Sequence, residues 1–418
     1  MIGMKRFLPI IVLSAATASH AGELVSYSKI GTVTSAYAIN ALKTRGTPTF
    51  SLPAVSKPID VYKVRYRSRA VDGRPVTLSG MVALPQGGAP KGVVVFYHGT
   101  TADRNYVPSR YNCTDTPGES EAAVVIFGSG GYAVFMPDYL GLGDDKSFHP
   151  YPLGSINCWS GIDMIDAGKS LASKLTFKVG EKLYVTGYSE GGAVAMWGIR
   201  MLDKSKDYDL TAGAPLSGPY DLSGAQMKLL ISKQSNPEIL AACVYFGSYF
   251  AYSIQQNFPQ YDIDLNNYFA PSFASYVPLI FTRGGTDETI AKALAVKALQ
   301  LGTLTTFKTL ITKQFLQAVQ AVDISDPMVA QTVANDCYDW SPTTPTLLVH
   351  LYNDFIVSPQ NTLNAVAAMR VRGVTEDVMR SYTITQKGLT HTTAAWPAAV
   401  MARRFFDGGF GSIPRQSN

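Results

Sequence analysis

Ser189 lies between two glycines at a point where the sequence changes from a strand pattern to a helical one. The run Leu183–Thr186 is typical of a buried strand, and an apolar helical pattern begins at Gly191. Residues 187–191 read GYSEG and match G-x-S-x-G, in which the serine occupies a sharp strand-to-helix turn and glycines relieve crowding. We predict that Ser189 is a nucleophile for acyl transfer and that the Glu190 amide faces the oxyanion. The alternative is a glycine-rich turn without a catalytic role.

A serine nucleophile needs a neighbouring base, which is most often histidine. The chain contains five histidines. His20 falls in the N-terminal leader, His350 lies inside a predicted strand, His98 ends another strand, and His149 lies in an early loop. His391 stands in a polar turn between the last predicted strand and the last predicted helix, so we predict that His391 is the base.

The base in turn needs an acid that holds its imidazole ring in the right tautomer. Asp354 follows the predicted strand Thr346–Tyr352 and precedes the turn that contains the histidine. The chain order serine, aspartate, histidine is the order of the α/β hydrolases and differs from that of chymotrypsin or subtilisin. Asp336 and Asp339 are rival acids, but both precede the strand, where a surface carboxylate is the simpler interpretation. We predict Asp354.

A second oxyanion donor is expected where the first central strand ends. Residues 98–101 read HGTT and directly follow the run Gly92–Tyr97. A loop at this place can present a backbone N–H to the charge that develops on a tetrahedral intermediate. We predict Thr100 as this donor, with Thr101 as the next choice, beside the amide of Glu190. His98 is then structural.

The surrounding pattern alternates short apolar strands with helices, which predicts an α/β fold with a mostly parallel sheet and helices on both faces. Two segments with alternating polarity predict an antiparallel hairpin that begins the sheet, Ile59–Arg69 and Val76–Leu84. The alternation stops between about Pro219 and Trp340, where helical patterns predict an inserted cap. The predicted domains are therefore a core in two parts, residues 22–218 and 341–418, and a cap, residues 219–340.

The first 21 residues have the features of a cleaved export signal. Lys5 and Arg6 precede the apolar run Phe7–Leu13, and small residues end the segment at Ala21. No later stretch reaches the roughly 18 apolar residues of a membrane span, so we expect no integral membrane segment. The predicted location is secreted or periplasmic.

Composition and charge exclude several classes of protein. With 46% apolar and 16% charged residues, the chain can bury a large core and is not disordered. Removing Lys5 and Arg6 leaves 34 basic against 31 acidic residues, a net charge of +3, which is too small to indicate a nucleic-acid partner. Neither metal-ligand spacing nor a phosphate-binding loop is present, so no cofactor is predicted.

The four cysteines form no C-x-x-C pair. Export to an oxidising compartment would favour two disulfides, and three pairings are possible. We expect Cys113 with Cys158 and Cys243 with Cys337, because each bond would close one contiguous insertion. The alternative is four buried free thiols.

The chain resembles the α/β hydrolases and, within them, the secretory lipase family typified by fungal lipase A. The resemblance rests on the GYSEGG elbow, on the stretch Gly131–Gly143 with His149-Pro150-Tyr151 after it, and on the contexts of Asp354 and His391. It covers nearly the whole chain after the leader. The resemblance implies a secreted enzyme that cleaves carboxylic esters, with the cap forming a tunnel for the acyl group.

The predicted cap is rich in aromatic residues, with 12 among the 37 positions of Tyr245–Phe281. They would either fill the core of the cap or line a path for an apolar substrate. We therefore expect a small-molecule or lipid ester as substrate, with at most transient contact to a lipid–water interface. The rival functions are a secreted aminopeptidase or dipeptidyl peptidase, with Glu190, Asp262 and Asp264 binding an amine, and a non-catalytic binding protein.

Overall fold

The structure, a computed structural model, describes residues 21–45, 57–87, 90–114 and 118–416. Residues 1–20 of the predicted export signal therefore lie outside the described part of the chain. The strands of the described residues are β1 (Leu24–Val33), β2 (Ile59–Arg69), β3 (Pro75–Pro85), β4 (Val93–Tyr97), β5 (Ala133–Pro137), β6 (Leu183–Tyr188), β7 (Leu210–Leu216), β8 (Thr346–Leu351) and β9 (Met379–Ile384).

These strands form one sheet in the order β1-β2-β3-β5-β4-β6-β7-β8-β9. The pairs β1/β2, β2/β3 and β3/β5 are antiparallel, and every later pair is parallel. Every residue of β4, β5, β6 and β8 is buried, which explains why these strands read as unbroken apolar runs. The predicted hairpin is present, but β1 precedes it at the edge of the sheet.

Helices cover both faces of the sheet. They are α1 (Ser35–Arg45), α2 (Glu119–Ile126), α3 (Gly154–Lys174), α4 (Glu190–Leu202), α5 (Met227–Leu230), α6 (Pro237–Asn257), α7 (Pro271–Ala274), α8 (Tyr276–Arg283), α9 (Asp287–Gln300), α10 (Lys313–Ala321), α11 (Pro327–Ala334), α12 (Gln360–Val371) and α13 (Ala395–Gly408). Helices α1, α2 and α13 share one hydrophobic cluster with the sheet, and α3, α4 and α12 share the other. The predicted α/β class, with a mostly parallel sheet and helices on both faces, is confirmed.

The chain between β7 and β8 forms an insertion that carries helices α5 to α11. It has a hydrophobic cluster of its own, which also receives Tyr151 and Leu153 from the core. Nine of the 12 aromatic residues of segment 245–281 are buried in this cluster. Most aromatic side chains of this segment therefore form the core of the insertion. Of the segment, only Phe246 and Phe250 also line the main cavity described below.

The expected disulfides are wrong, because all four cysteines are free thiols. Cys113 packs against the hydrophobic cluster on one face of the sheet, whereas Cys158 belongs to the cluster on the opposite face. Cys243 is buried in the insertion, whereas Cys337 is buried in the core cluster with Cys158. Each predicted pair is thus divided between two separate hydrophobic clusters.

Candidate active site

The turn between β6 and α4 places Ser189 in a strained backbone conformation. Its φ is 59° and its ψ is −124°, which a residue other than glycine rarely adopts. A Cβ atom at Gly191 would collide with the carbonyl oxygens of Tyr97 and His98, and one at Gly187 would collide with the carbonyl of Gly191. The glycines therefore allow β4, β6 and α4 to meet at this point, as the motif predicts.

The structure brings the three predicted triad residues into one hydrogen-bonded chain. His391 Nε2 lies 2.8 Å from Ser189 Oγ, and His391 Nδ1 lies 2.6 Å from Asp354 Oδ2. Because the carboxylate faces Nδ1, that nitrogen carries the hydrogen, and Nε2 is left to accept the serine proton. This hydrogen-bonded order is the one that a nucleophile, a base and an orienting acid require.

Local hydrogen bonds hold the acid and the base in place. Asp354 Oδ1 accepts the backbone N–H groups of Ile356 and Val357 at 2.9 and 3.0 Å, which fixes the buried carboxylate at the end of β8. The hydroxyl of Tyr188 donates to the backbone carbonyl of His391 at 2.5 Å. Tyr188, the residue before Ser189, therefore supports the loop that carries His391.

The rival acids are occupied elsewhere. Asp336 accepts the hydroxyl of Ser223 at 2.5 Å, and burial raises the pKa of its carboxyl to about 6. Asp339 is half exposed and forms an ion pair with Arg372 at 2.5 Å. Neither carboxylate contacts His391.

His98 and His350 are packed histidines, as predicted. His98 Nδ1 lies 2.7 Å from the carbonyl oxygen of Gly99, its ring stacks on Tyr139, and burial lowers its pKa. His350 lies within β8, where burial lowers its pKa to about 4. Its Nε2 lies 3.4 Å from the hydroxyl of Thr383, and its Nδ1 contacts no hydrogen-bonding group among the described residues.

Because the unfolded chain binds a proton at His350 near pH 6.5 and the folded chain only near pH 4, stability falls as the pH drops through this window. We expect this histidine to remove about 2 to 3 kcal/mol of unfolding free energy between pH 7 and 4.5. The apolar variant His350→Leu has no group that titrates at this position, so its free energy of unfolding should fall less between pH 7 and 4.5 than that of the unmodified protein. Urea unfolding at pH 7 and at pH 4.5 measures the free energy of unfolding of both proteins. An equal change in this free energy for the two proteins would contradict the prediction.

The predicted oxyanion residues Thr100 and Glu190 lie in the loop after β4 and at the start of α4. Thr100, Ser189 and Glu190 line one cavity together, whereas Thr101 is buried and directs its hydroxyl away to Asp287 at 2.7 Å. The backbone N–H of the neighbouring Gly99 is not free for an oxyanion, because it faces both carboxyl oxygens of Glu119 at 3.0 Å. Of the two threonines, Thr100 lines the cavity with Ser189 and Thr101 does not.

A buried pair that the sequence analysis missed lies beside the nucleophile. His149 Nε2 is 3.0 Å from Glu190 Oε1, and each side chain is 2% exposed. His149 Nδ1 faces the carbonyl of Leu140 at 2.9 Å, which can only accept, so Nδ1 carries a hydrogen. The only sequence signals were an acidic residue after the serine and a histidine in an HPY turn.

A third carboxyl group, that of Glu119, approaches the site from the start of α2. Burial raises its pKa to about 8, and the charge of Glu190 acts in the same direction. Of the three acidic residues that a peptidase was expected to recruit, only Glu190 lines the cavity. Asp262 and Asp264 are exposed on the insertion, and Asp264 accepts the amide of Asn266 at 2.9 Å.

The candidate nucleophile opens into a mainly apolar cavity of about 570 Å³, which includes its opening to solvent. The insertion and the loops after the strands form its walls, through Thr100, Tyr151, Pro152, Ser189, Glu190, Pro219, Leu222, Gln226, Met227, Leu230, Phe246, Phe250, Thr332, Ile356 and Val357. A second, narrow hollow within the insertion has no room for a water molecule and shares Met227, Phe250 and Thr332 with the first.

Solved structures with the same architecture include hydrolases. A Legionella pneumophila protein that has been assigned as a hydrolase is 28% identical, with a TM-score of 0.78 over 92% of this chain and 97% of that one. The rice cell wall degrading esterase LipA of Xanthomonas oryzae is 23% identical, with a TM-score of 0.77 over 93% of this chain and 98% of the esterase. Candida antarctica lipase A is 15% identical, with a TM-score of 0.64 over 95% of this chain and 84% of the lipase.

No protein-family model matches the sequence, and no curated protein matches it either. Among the described residues, none of the helices combines the length and the apolar character that crossing a bilayer requires.

Proposed function

Because the chain has the α/β-hydrolase fold and lipase-like structural neighbours, we propose that it hydrolyses carboxylic esters through an acyl-enzyme on Ser189. The observation that carries the proposal is the hydrogen-bonded chain Ser189–His391–Asp354 at the wall of an apolar cavity. A nucleophile paired with an oriented base is the arrangement that acyl transfer requires.

In this mechanism Ser189 Oγ attacks the ester carbonyl while His391 Nε2 accepts the hydroxyl proton. The amides of Glu190 and Thr100 bind the oxyanion, and His391 then returns the proton to the departing alcohol. Water repeats the sequence on the acyl-enzyme and releases the acid. Asp354 stays ionised throughout and stabilises the imidazolium that forms in each half of the reaction.

The cavity supports an ester with an apolar acyl group. Leu222, Leu230, Phe246, Ile356 and Val357 provide apolar walls near the nucleophile, and hydrophobic walls bind hydrocarbon in proportion to the area buried. Two of the similar proteins named above are an esterase and a lipase. The natural substrate we propose is therefore a small-molecule or lipid acyl ester.

We also propose that the protein is exported and that it has a two-part core. Residues 1–21 would act as the export signal, residues 22–218 and 341–418 would form the catalytic core, and residues 219–340 would cap it. Support for the cap comes from its separate hydrophobic cluster and from its share of the cavity wall.

The proposal is tested by hydrolysis of p-nitrophenyl esters from acetate to palmitate, together with labelling by a fluorophosphonate. We expect labelling of one serine and a rate maximum at medium chain lengths. Turnover of aminoacyl p-nitroanilides instead of esters would indicate a peptidase. A protein that is neither labelled nor active would indicate a binding function.

Phe250 should limit the length of the acyl group, because its side chain lines both the cavity and the narrow hollow next to it. Phe250→Ala would remove the aromatic ring from this wall and leave its volume to the acyl chain, and each further methylene buried contributes about 0.8 kcal/mol. We expect the ratio of kcat/KM for palmitate to that for butyrate to rise about tenfold, which corresponds to two added methylenes. Phe258→Ala is the control, because Phe258 is buried in the insertion but lines neither hollow. An equal change in both variants would contradict the prediction.

A further inference from the structure

Asp287, the first residue of α9, connects the insertion to the loop that follows β4. Its Oδ2 accepts the hydroxyl of Thr101 at 2.7 Å, and its Oδ1 accepts the backbone N–H of Ala102 at 2.6 Å. Both oxygens of one carboxylate are thus used on two consecutive residues of a core loop 185 and 186 positions away in the chain. Hydrogen bonds to an ionised acceptor are about twice as strong as those between neutral groups.

Two tyrosines of α6 complete this contact. The hydroxyl of Tyr245 donates to Asp287 Oδ1 at 2.7 Å, and the hydroxyl of Tyr249 donates to the carbonyl of Thr101 at 3.1 Å. Both rings are buried in the cluster of the insertion, so their positions are set by the packing of α6. The hydrogen bond from Tyr245 therefore orients the carboxylate of Asp287 from within the insertion.

The loop held in this way contains Thr100, the proposed oxyanion donor. On one side of Thr100, the amide of Gly99 is held by Glu119 at 3.0 Å. On the other side, Thr101 and Ala102 are held by Asp287. An amide stabilises a developing oxyanion only when its position is set in advance, because reorganisation during the reaction would cancel the gain. The side chains of Glu119 and Asp287 thus fix the backbone on both sides of Thr100.

We propose that Asp287 is a positioning residue that sets the oxyanion loop from within the insertion. The position of the insertion against the loop after β4 then affects the rate of the chemical step as well as the shape of the cavity. This inference rests on the proposed function. It assigns to Asp287 an effect on the transition state, which is felt mainly in kcat, and little effect on the binding of the substrate in its ground state.

The experiment compares Asp287→Ala and Asp287→Asn with the control Glu288→Gln. Glu288 is exposed and lies in the same first turn of α9, so its replacement removes the same charge without touching the loop. With p-nitrophenyl butyrate we expect kcat of Asp287→Ala to fall at least tenfold with KM within twofold. Asp287→Asn should lose less, because its amide oxygen can still accept the N–H of Ala102. Glu288→Gln should match the unmodified protein.

Titration of active sites with a fluorophosphonate separates positioning from folding. We expect kcat per titrated site to fall in Asp287→Ala, and binding of a phenylboronic acid, which mimics the tetrahedral intermediate, to weaken by a similar factor. If only the number of titrated sites falls, Asp287 is merely structural and the inference is overturned while the proposed function stands. If the unmodified protein itself neither labels nor turns over ester, the proposed function fails and this inference with it.

Discussion

Replacing Ser189 by alanine is expected to lower kcat for p-nitrophenyl esters on the order of 10⁶-fold, the loss measured when a serine hydrolase loses its nucleophile. The reason is that no other hydroxyl among the described residues contacts His391 Nε2, whereas Ser189 Oγ does so at 2.8 Å. The backbone at this position is already strained at a φ of 59°, and alanine keeps the same Cβ. The variant should therefore fold normally and retain its cavity.

The measurement is steady-state hydrolysis of the butyrate ester together with fluorophosphonate labelling. Ser147→Ala is the matched control, because Ser147 is exposed in a loop and its hydroxyl contacts only Asp145. We expect full activity and labelling in the control and neither in Ser189→Ala. Activity of Ser189→Ala within tenfold of the unmodified protein would refute the proposed mechanism, because the reaction would then use another nucleophile.

Replacing Asp354 by asparagine should lower kcat by roughly 10⁴-fold, as when the acid of a serine triad is made neutral. The amide group would face His391 Nδ1 with a hydrogen instead of an acceptor, and the ring would then carry its hydrogen on Nε2. That nitrogen could no longer accept the serine proton. The amide oxygen can still receive the N–H groups of Ile356 and Val357, so the loop after β8 should keep its shape.

The control for this variant is Asp339→Asn, which tests the rival acid with the same chemical change. Asp339 is half exposed and pairs with Arg372, so we expect less than a twofold change in kcat. Thermal unfolding of all three proteins would show whether the loss in Asp354→Asn is catalytic. An inactive Asp339→Asn beside an active Asp354→Asn would assign the acid to Asp339.

Features that depend on neighbouring residues could be predicted from the sequence. The elbow around Ser189 could be recognised because its glycines, strand and helix all lie within one short segment. The buried strands could be recognised because cover on both faces requires apolar residues at every position, as in β4 and β8. Asp354 and His391 could be predicted because each follows one of the last two strands. Parallel strands bring their carboxyl ends to one edge of the sheet, so residues that follow them can meet there.

Strands that lack such a pattern were missed. Strand β1 lies at the edge of the sheet and only one of its ten residues is buried, so its residues have no apolar period. Strand β7 is buried but contains glycine, alanine and proline, residues with low strand propensity, and its position between β6 and β8 decides its conformation. In both strands tertiary pairing outweighs local preference.

The sequence by itself thus determined the fold class, the nucleophile motif and the order of the candidate triad. The tertiary structure alone decided which distant polar groups meet. His149 and Glu190 are 41 positions apart, and Thr101 and Asp287 are 186 positions apart. The same holds for the cysteines, whose expected pairs are divided between separate hydrophobic clusters. The physical reason is that a local pattern records how one segment is buried, whereas a contact between segments depends on how the whole chain packs.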